Sequence, residues 1–379
     1  MQEYVEAVEQ WNGSYDPVWL GKRWKMLSDL DQIQHARLNA RMYALQKELV
    51  NLVHRYAMPL EEEELALESR VALAVDMEDL LRLADVQGDD PLRCRKRFEA
   101  RRFFDLTMFL DRIDRIDPIE RVRRDLSRMI HLFEHHLFLP GSENIQVWTY
   151  HDPTRAYRVA QIGINRQLFL PNERYNPMTC RLLAGTQDGR VLFHHRDKDT
   201  FGACLKILKQ RQDRKKADPF DVRDRRGFAL VVSDLMYRDQ LIDKLQQVVT
   251  SAGGKMRLDA SNSTGDSETK MDPNNPHTSE YFRATKFEIL WNMPSEDWQK
   301  FPYEIIIFTF ADYFSQKFSL GLENHDLYRL EQMLDVYFPI LFPSSVYQTV
   351  VDWKDTSIRE LLRKCKRAKL GWKINGRNH

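Results

Sequence analysis

Cysteine is scarce in this chain and poorly spaced for joint work: Cys94, Cys180, Cys204 and Cys365 are the only four in 379 residues, and no two form a CxxC pair. That excludes a zinc ribbon and a disulfide framework and fits a reducing compartment. Long apolar runs are missing too. No uninterrupted stretch approaches the roughly 20 residues that a membrane-spanning helix needs. The opening "MQEYVEAVEQW" has neither the basic start nor the apolar stretch of a secretory signal. Nor is there a charge excess: 57 Lys and Arg stand against 56 Asp and Glu, so any basic surface has to be local. No internal repeat is visible. These absences point to a folded, soluble, cytoplasmic chain with no membrane partner.

What is present changes in texture along the chain. Residues 1–140 carry apolar residues at three- and four-residue spacing, as in "LGKRWKMLSDLDQIQHARLNARMYALQKELVNLVHRYAMP" and "RVALAVDMEDLLRLADV", which predicts a helical domain. Pro59 closes the first long helix. Asp90 with Pro91, and Asp117 with Pro118, are the N-cap and first-turn signals of two more. After Pro140 come β-rich runs, "NIQVWTY" and "AYRVAQIGI", then "TCRLLAGTQDGRVLFHHR", two strands about a Gln187-Asp188-Gly189 turn. Strand and helix then alternate: "DTFGACLKILKQRQDRKK" is helical, "GFALVVSD" is a buried strand, and "YRDQLIDKLQQVVTSAGG" is a helix ending in a glycine pair. A polar stretch at 257–279 reads as a mobile loop beside the site, followed by strands "YFRATKFEILW" and "YEIIIFTF" and a helix at roughly 322–338. The fold class is α+β, with a helical domain at 1–140, a mixed sheet flanked by helices at 141–345 and a basic helical extension at 346–379.

Two carboxylates stand at strand mouths. Glu304 heads the nearly continuous apolar run of "FPYEIIIFTF", where an ionised group is costly unless it is wet, paired or bound to a metal. Asp224 lies three residues before Gly227, at the mouth of the strand "GFALVV". Two acids at the ends of neighbouring strands suit a Mg²⁺ ion, which takes one or two carboxylates and completes its octahedron with water and phosphate oxygens. Upstream, Arg196 and Lys198 leave a strand together, while Lys206 and Lys209 share a helix face. Such cations either neutralise phosphates or form a solvated helix face.

The order of these pieces, "RDKDTFGACLKILK", "DRRGFALVV", "YFRATK" and "YEIIIFT", resembles the synthetase domain of the RelA/SpoT family over about 165 residues, roughly 178–345. The resemblance implies a nucleotidyltransferase-like mixed sheet and a reaction moving the β,γ-pyrophosphate of ATP onto the 3′-hydroxyl of a guanosine nucleotide, an alarmone synthesis. It implies Asp224 as the Mg²⁺ aspartate, Glu304 as the catalytic glutamate and second metal ligand, and Arg196, Lys198, Lys206 and Lys209 as the phosphate-binding cations. Phe282 falls at the family's base-stacking tyrosine, with Tyr281 beside it.

The chain also departs from the family. Ala229 stands where an arginine is usual, Ile306 and Phe308 replace the polar pair of E-x-Q-x-R-T, and Lys286 replaces a histidine. Losing an arginine removes a bidentate phosphate contact that lysine does not reproduce. The metal side is therefore kept and the acceptor side altered. Two readings follow: a Mg²⁺-dependent pyrophosphotransferase acting on ATP and a guanine nucleotide or RNA acceptor, or a degenerate nucleotide sensor whose helical domain contacts a protein partner. Three further patterns carry less. "HLFEH" (His131, Glu134, His135) matches one zinc peptidase pattern but has no convincing third ligand. The pairs His151-Asp152 and His325-Asp326 lack the companions of an alarmone hydrolase site. The basic tail 363–377, with Trp372, is read as a solvated terminal helix rather than an RNA-binding segment.

Overall fold

The computed structural model describes residues 14–56, 74–137, 143–151, 157–164, 175–183, 191–214, 222–232, 235–260, 263–264, 282–291, 301–318 and 325–341. In chain order these form helices α1 (Pro17–Ser28), α2 (Gln32–Tyr56), α3 (Met77–Ala84), α4 (Pro91–Ile116) and α5 (Ile119–Leu137), then strands β1 (Glu143–His151), β2 (Tyr157–Ile164), β3 (Tyr175–Leu183) and β4 (Val191–Asp197). After α6 (Thr200–Arg214) come a 3-10 turn at Arg223–Arg225, β5 (Arg226–Val232), α7 (Leu235–Ser251), β6 (Gly254–Leu258), β7 (Thr285–Trp291) and β8 (Tyr303–Thr309). Helices α8 (Phe310–Phe318), α9 (His325–Gln332) and, after a π turn, α10 (Phe338–Leu341) complete the described chain. The class is α+β. Among the described residues no helix is long and apolar enough to cross a membrane.

The chain divides into two compact units: Met1–Pro118 with Thr200–Pro219 and Leu330–Arg363, and Ile119–Asp199 with Phe220–Arg329 and Lys364–His379. This division differs from the one read at residue 140. Helix α5 belongs with the strands because Val122, Leu126, Met129 and Phe133 make one apolar stripe buried in the sheet's core. Helix α6 belongs with the helices. The extension expected at 346–379 lies outside the described residues.

In the helical unit, side-chain caps set the helix starts. Asp16 accepts from Trp19 N at 2.9 Å ahead of Pro17, and Asp90 accepts from Arg93 N at 3.1 Å ahead of Pro91, as the sequence predicts for the latter. The long first helix is in fact two. Asp31 and Gln34 exchange bonds, Gln34 N to Asp31 Oδ1 at 2.8 Å and Asp31 N to Gln34 Oε1 at 3.1 Å, a capping box that starts α2 afresh. Asp117 is no N-cap. It ends α4, its N–H donating to Ile113 O at 2.8 Å. Helix α4 is buried on nearly all sides over residues 97–113 and carries acids inward: Asp105 meets Arg23 at 3.2 Å and Arg101 at 3.9 Å, and Asp111 meets Arg37 at 2.9 Å and Arg115 at 2.8 Å.

In the other unit the strands form one sheet in the order β2-β1-β3-β4-β5-β8-β7-β6. Among the described strands only β5 and β8 run parallel, so the section β5-β8-β7-β6 is mixed. Phe228 and Leu230 of β5 and Ile305 and Ile307 of β8 point into a core closed by α5 and α7. Their alternate neighbours take the other face: Ala229, Glu304, Ile306 and Phe308, with Lys286 and Glu288 of β7 registered beside them. Gly254 is required after α7, since a Cβ there would meet the Trp291 ring at 2.7 Å and Val249 at 2.8 Å.

Candidate functional site

The parallel register pairs Gly227 with Glu304, so the mouths of β5 and β8 lie side by side. Asp224 sits in the 3-10 turn that feeds β5, a turn closed by Arg225 N to Val222 O at 3.2 Å and tied to the end of β4 by Lys198 N to Arg225 O at 3.2 Å. The Lys198 ammonium donates to Asp224 Oδ2 at 2.6 Å. The turn is further set by Arg226, whose guanidinium is 2.9 Å from Asp125 of α5, both fully buried, and lies 4.4 Å over the Phe301 ring. Arg196 registers opposite Gly227 on β4; its side chain is outside the described residues.

Glu304 is buried, with 8% of its surface exposed, so it does not stand outside the sheet in open water. A cation is nearby: Lys286 Nζ stands 3.9 Å from Glu304 Oε1. The same ammonium lies 4.7 Å from the centroid of Phe282, which itself packs edge-on against Phe308 at 5.8 Å. Phe308 in turn meets Tyr313 of α8 at 5.4 Å. Directly across the antiparallel register from Glu304 is a second carboxylate, Glu288, buried at 3% and ion-paired with Arg257 of β6. Sequence reading passed over both Glu288 and Arg257. The signal was present: period-two alternation in "TKFEILW" puts Lys286 and Glu288 on one face.

Lys206 and Lys209 lie half-buried on α6, three residues apart as expected, in the helical unit. Tyr281 falls outside the described residues. The departures from the family pattern are core positions here: Ala229, Ile306 and Phe308 are 6%, 4% and 6% exposed, and Ala229, Ile306 and Lys286 form one row across β5, β8 and β7.

The loop expected to be mobile from residue 257 is anchored through its first part. Asp259 N donates to Lys286 O at 2.8 Å, Lys286 N to Ser263 Oγ at 2.8 Å, and Thr264 N to Ala284 O at 2.9 Å. Ser263 and Thr264 are buried, which polar composition alone does not reveal, because their hydroxyls are satisfied by the edge of β7. Residues 265–279 lie outside the described part.

Among the described residues no group of three or more His, Cys, Asp or Glu side chains is arranged to hold a metal ion, and His131 of "HLFEH" is exposed. Two carboxylates, Asp224 in the turn before β5 and Glu304 at the start of β8, stand at one end of adjacent strands. Compared with known proteins, the chain matches no family model, no curated protein and no solved structure.

Proposed function

We propose that this chain is a Mg²⁺-dependent pyrophosphotransferase of the alarmone-synthetase kind, with a nucleotidyltransferase-like sheet, taking the β,γ-pyrophosphate of ATP to the 3′-hydroxyl of a guanosine nucleotide or an RNA. The observation that carries the reading is the parallel Gly227–Glu304 register, which sets the Asp224 turn and Glu304 at the same end of neighbouring strands. Motif order and this geometry are its support.

Asp224 and Glu304 would hold the ion, which when bound neutralises charge on the transferred phosphates. Glu304 also accepts the acceptor hydroxyl's proton as that oxygen attacks the β-phosphorus. The bond from the β-phosphorus to the α-phosphate oxygen breaks, and AMP leaves. Lys198, which donates to Asp224 at 2.6 Å, transfers to phosphate, joined by Arg196. Phe282, with Tyr281, is the platform for the acceptor base.

A second reading is favoured by a specific observation: the positions next to Glu304 on β5 and β8, Ala229 and Ile306, are buried and their apolar side chains offer no hydrogen bond to a phosphate. On that reading the site binds a guanine nucleotide without turnover and the helical unit meets a protein partner. Incubation with γ-labelled ATP, Mg²⁺ and a panel of GDP, GTP, adenine nucleotides and tRNA separates the two. Label on an acceptor together with AMP supports the enzyme. Guanine-nucleotide binding with no labelled product supports the sensor.

A further inference from the structure

Lys286 is held at two points. It faces Ile306 in the β7–β8 register, and its ammonium stands 3.9 Å from Glu304 Oε1. Only 16% of the Lys286 side chain and 11% of the Glu304 side chain are exposed, so solvent screens this pair weakly. The second hold is the Phe282 ring, 4.7 Å from Nζ. A lysine on a solvated strand edge samples many rotamers, whereas this one carries a fixed positive charge against a carboxylate. Glu288 and Glu304, directly opposed on one face, would otherwise present a divalent cation with two adjacent hard donors. Arg257 takes Glu288, and Lys286 stands at Glu304.

We infer that Lys286 gates Glu304: it opposes a lone divalent cation there and admits one that arrives with a polyphosphate. The inference rests on the proposed role of Glu304 as a cation-holding carboxylate. A metal ion alone at Glu304 lies beside an ammonium in a poorly screened place, and like-charge repulsion opposes it. To relieve that repulsion Lys286 has to leave both Glu304 and Phe282. A polyphosphate reverses the balance, because its several negative charges give the ammonium a new counter-ion while the metal takes the carboxylate. Metal and polyphosphate then strengthen each other's binding by the same factor. The gate keeps the acid site from being occupied by free metal between turnovers.

The test uses the full chain and two probes applied separately: Mn²⁺ alone, followed by the loss of its free-ion paramagnetic signal, and inorganic triphosphate in excess chelator, followed by calorimetry. Lys286→Met is expected to bind Mn²⁺ at least tenfold more tightly than wild type and metal-free triphosphate at least tenfold more weakly. Lys286→Arg, which keeps the charge, should stay within threefold of wild type for both. Phe282→Leu, a milder change that loosens one hold only, should tighten Mn²⁺ by a smaller factor, and it serves if the methionine variant fails to fold. If wild type binds Mn²⁺ with triphosphate present but Lys286→Met binds Mn²⁺ alone no more tightly than wild type, the gate is wrong and the reading of Glu304 stands. Unchanged triphosphate affinity in Lys286→Met overturns the exchange onto phosphate. If no variant binds Mn²⁺ at millimolar concentration, with or without triphosphate, the cation-holding role of Glu304 falls, and the gate with it.

Discussion

Glu288 and Glu304 face each other across the antiparallel register of β7 and β8, both buried, with Arg257 on the outer side of one and Lys286 beside the other. Like charges in directly opposed positions destabilise a sheet, so the cations decide whether this pair is tolerated. Replacing Arg257 by Met is expected to lower stability by about 1–2 kcal/mol, between the values for exposed and buried pairs. Adding Glu288→Gln should recover most of that loss. Urea unfolding of the single and double variants checks it, and a double variant no better than the single one would show that the repulsion is not felt.

Asp125 and Arg226 make the buried ion pair that fixes α5 to the mouth of β5. Asp125→Ala leaves the Arg226 guanidinium without its carboxylate in the core and is expected to cost about 3–5 kcal/mol. Asp125→Leu with Arg226→Met should be much less damaging, since an apolar pair of similar volume replaces both charges. Denaturant midpoints with an unchanged slope decide the comparison.

Burial pushes the Asp105 carboxyl up to about 6, against the pull of Arg23 and Arg101. The ordinary value is 3.8, so the folded state binds this proton more tightly than the unfolded state does. Its contribution to stability is therefore complete below about pH 4 and is lost as the pH rises through about 6, a change on the order of 2–3 kcal/mol. Asp105→Asn should flatten this part of the pH profile. Thermal or denaturant unfolding of both proteins from pH 4 to pH 7 reads it directly, and parallel profiles would contradict the assignment.

Cys204 of α6 is fully buried, and burial pushes its thiol well above the ordinary cysteine range, while Cys94 is only half-buried. In the folded protein at pH 8, alkylation is expected to reach Cys94 and spare Cys204 until denaturant is added. Peptide mass analysis after a timed iodoacetamide pulse resolves the two.

Much of this architecture can be read locally in the sequence. The continuous apolar runs of β5 and β8, the Asp90–Pro91 start of α4, and the helices over 200–214 and 235–251 each follow from spacing and caps within a few residues. The sheet order cannot be read this way. That β5 pairs in parallel with β8, across α7, β6 and β7, is a non-local choice made by the core that Leu241, Leu245 and Val249 help to fill. The same holds for α5, whose apolar stripe shows that it packs but not on what. At the site, Asp224, Glu304 and Lys198 were legible as residue types at strand ends. Glu288 was not, because a single acid in a strand acquires meaning only when register puts another opposite it.

The central claim is chemical work at Glu304, and the most direct measurement compares wild type with Glu304→Gln in the γ-labelled ATP assay, with ATP affinity measured alongside. The substitution keeps size and hydrogen bonding and removes the charge that accepts the proton or holds the cation. Wild type should transfer label to at least one acceptor, and Glu304→Gln should lose transfer by at least a hundredfold while binding ATP within about tenfold of wild type. If the chain is a sensor, both proteins are equally inactive, and Phe282→Ala weakens guanine-nucleotide binding by roughly 1–3 kcal/mol. A wild-type protein that transfers nothing and binds no purine nucleotide at millimolar concentration contradicts the account.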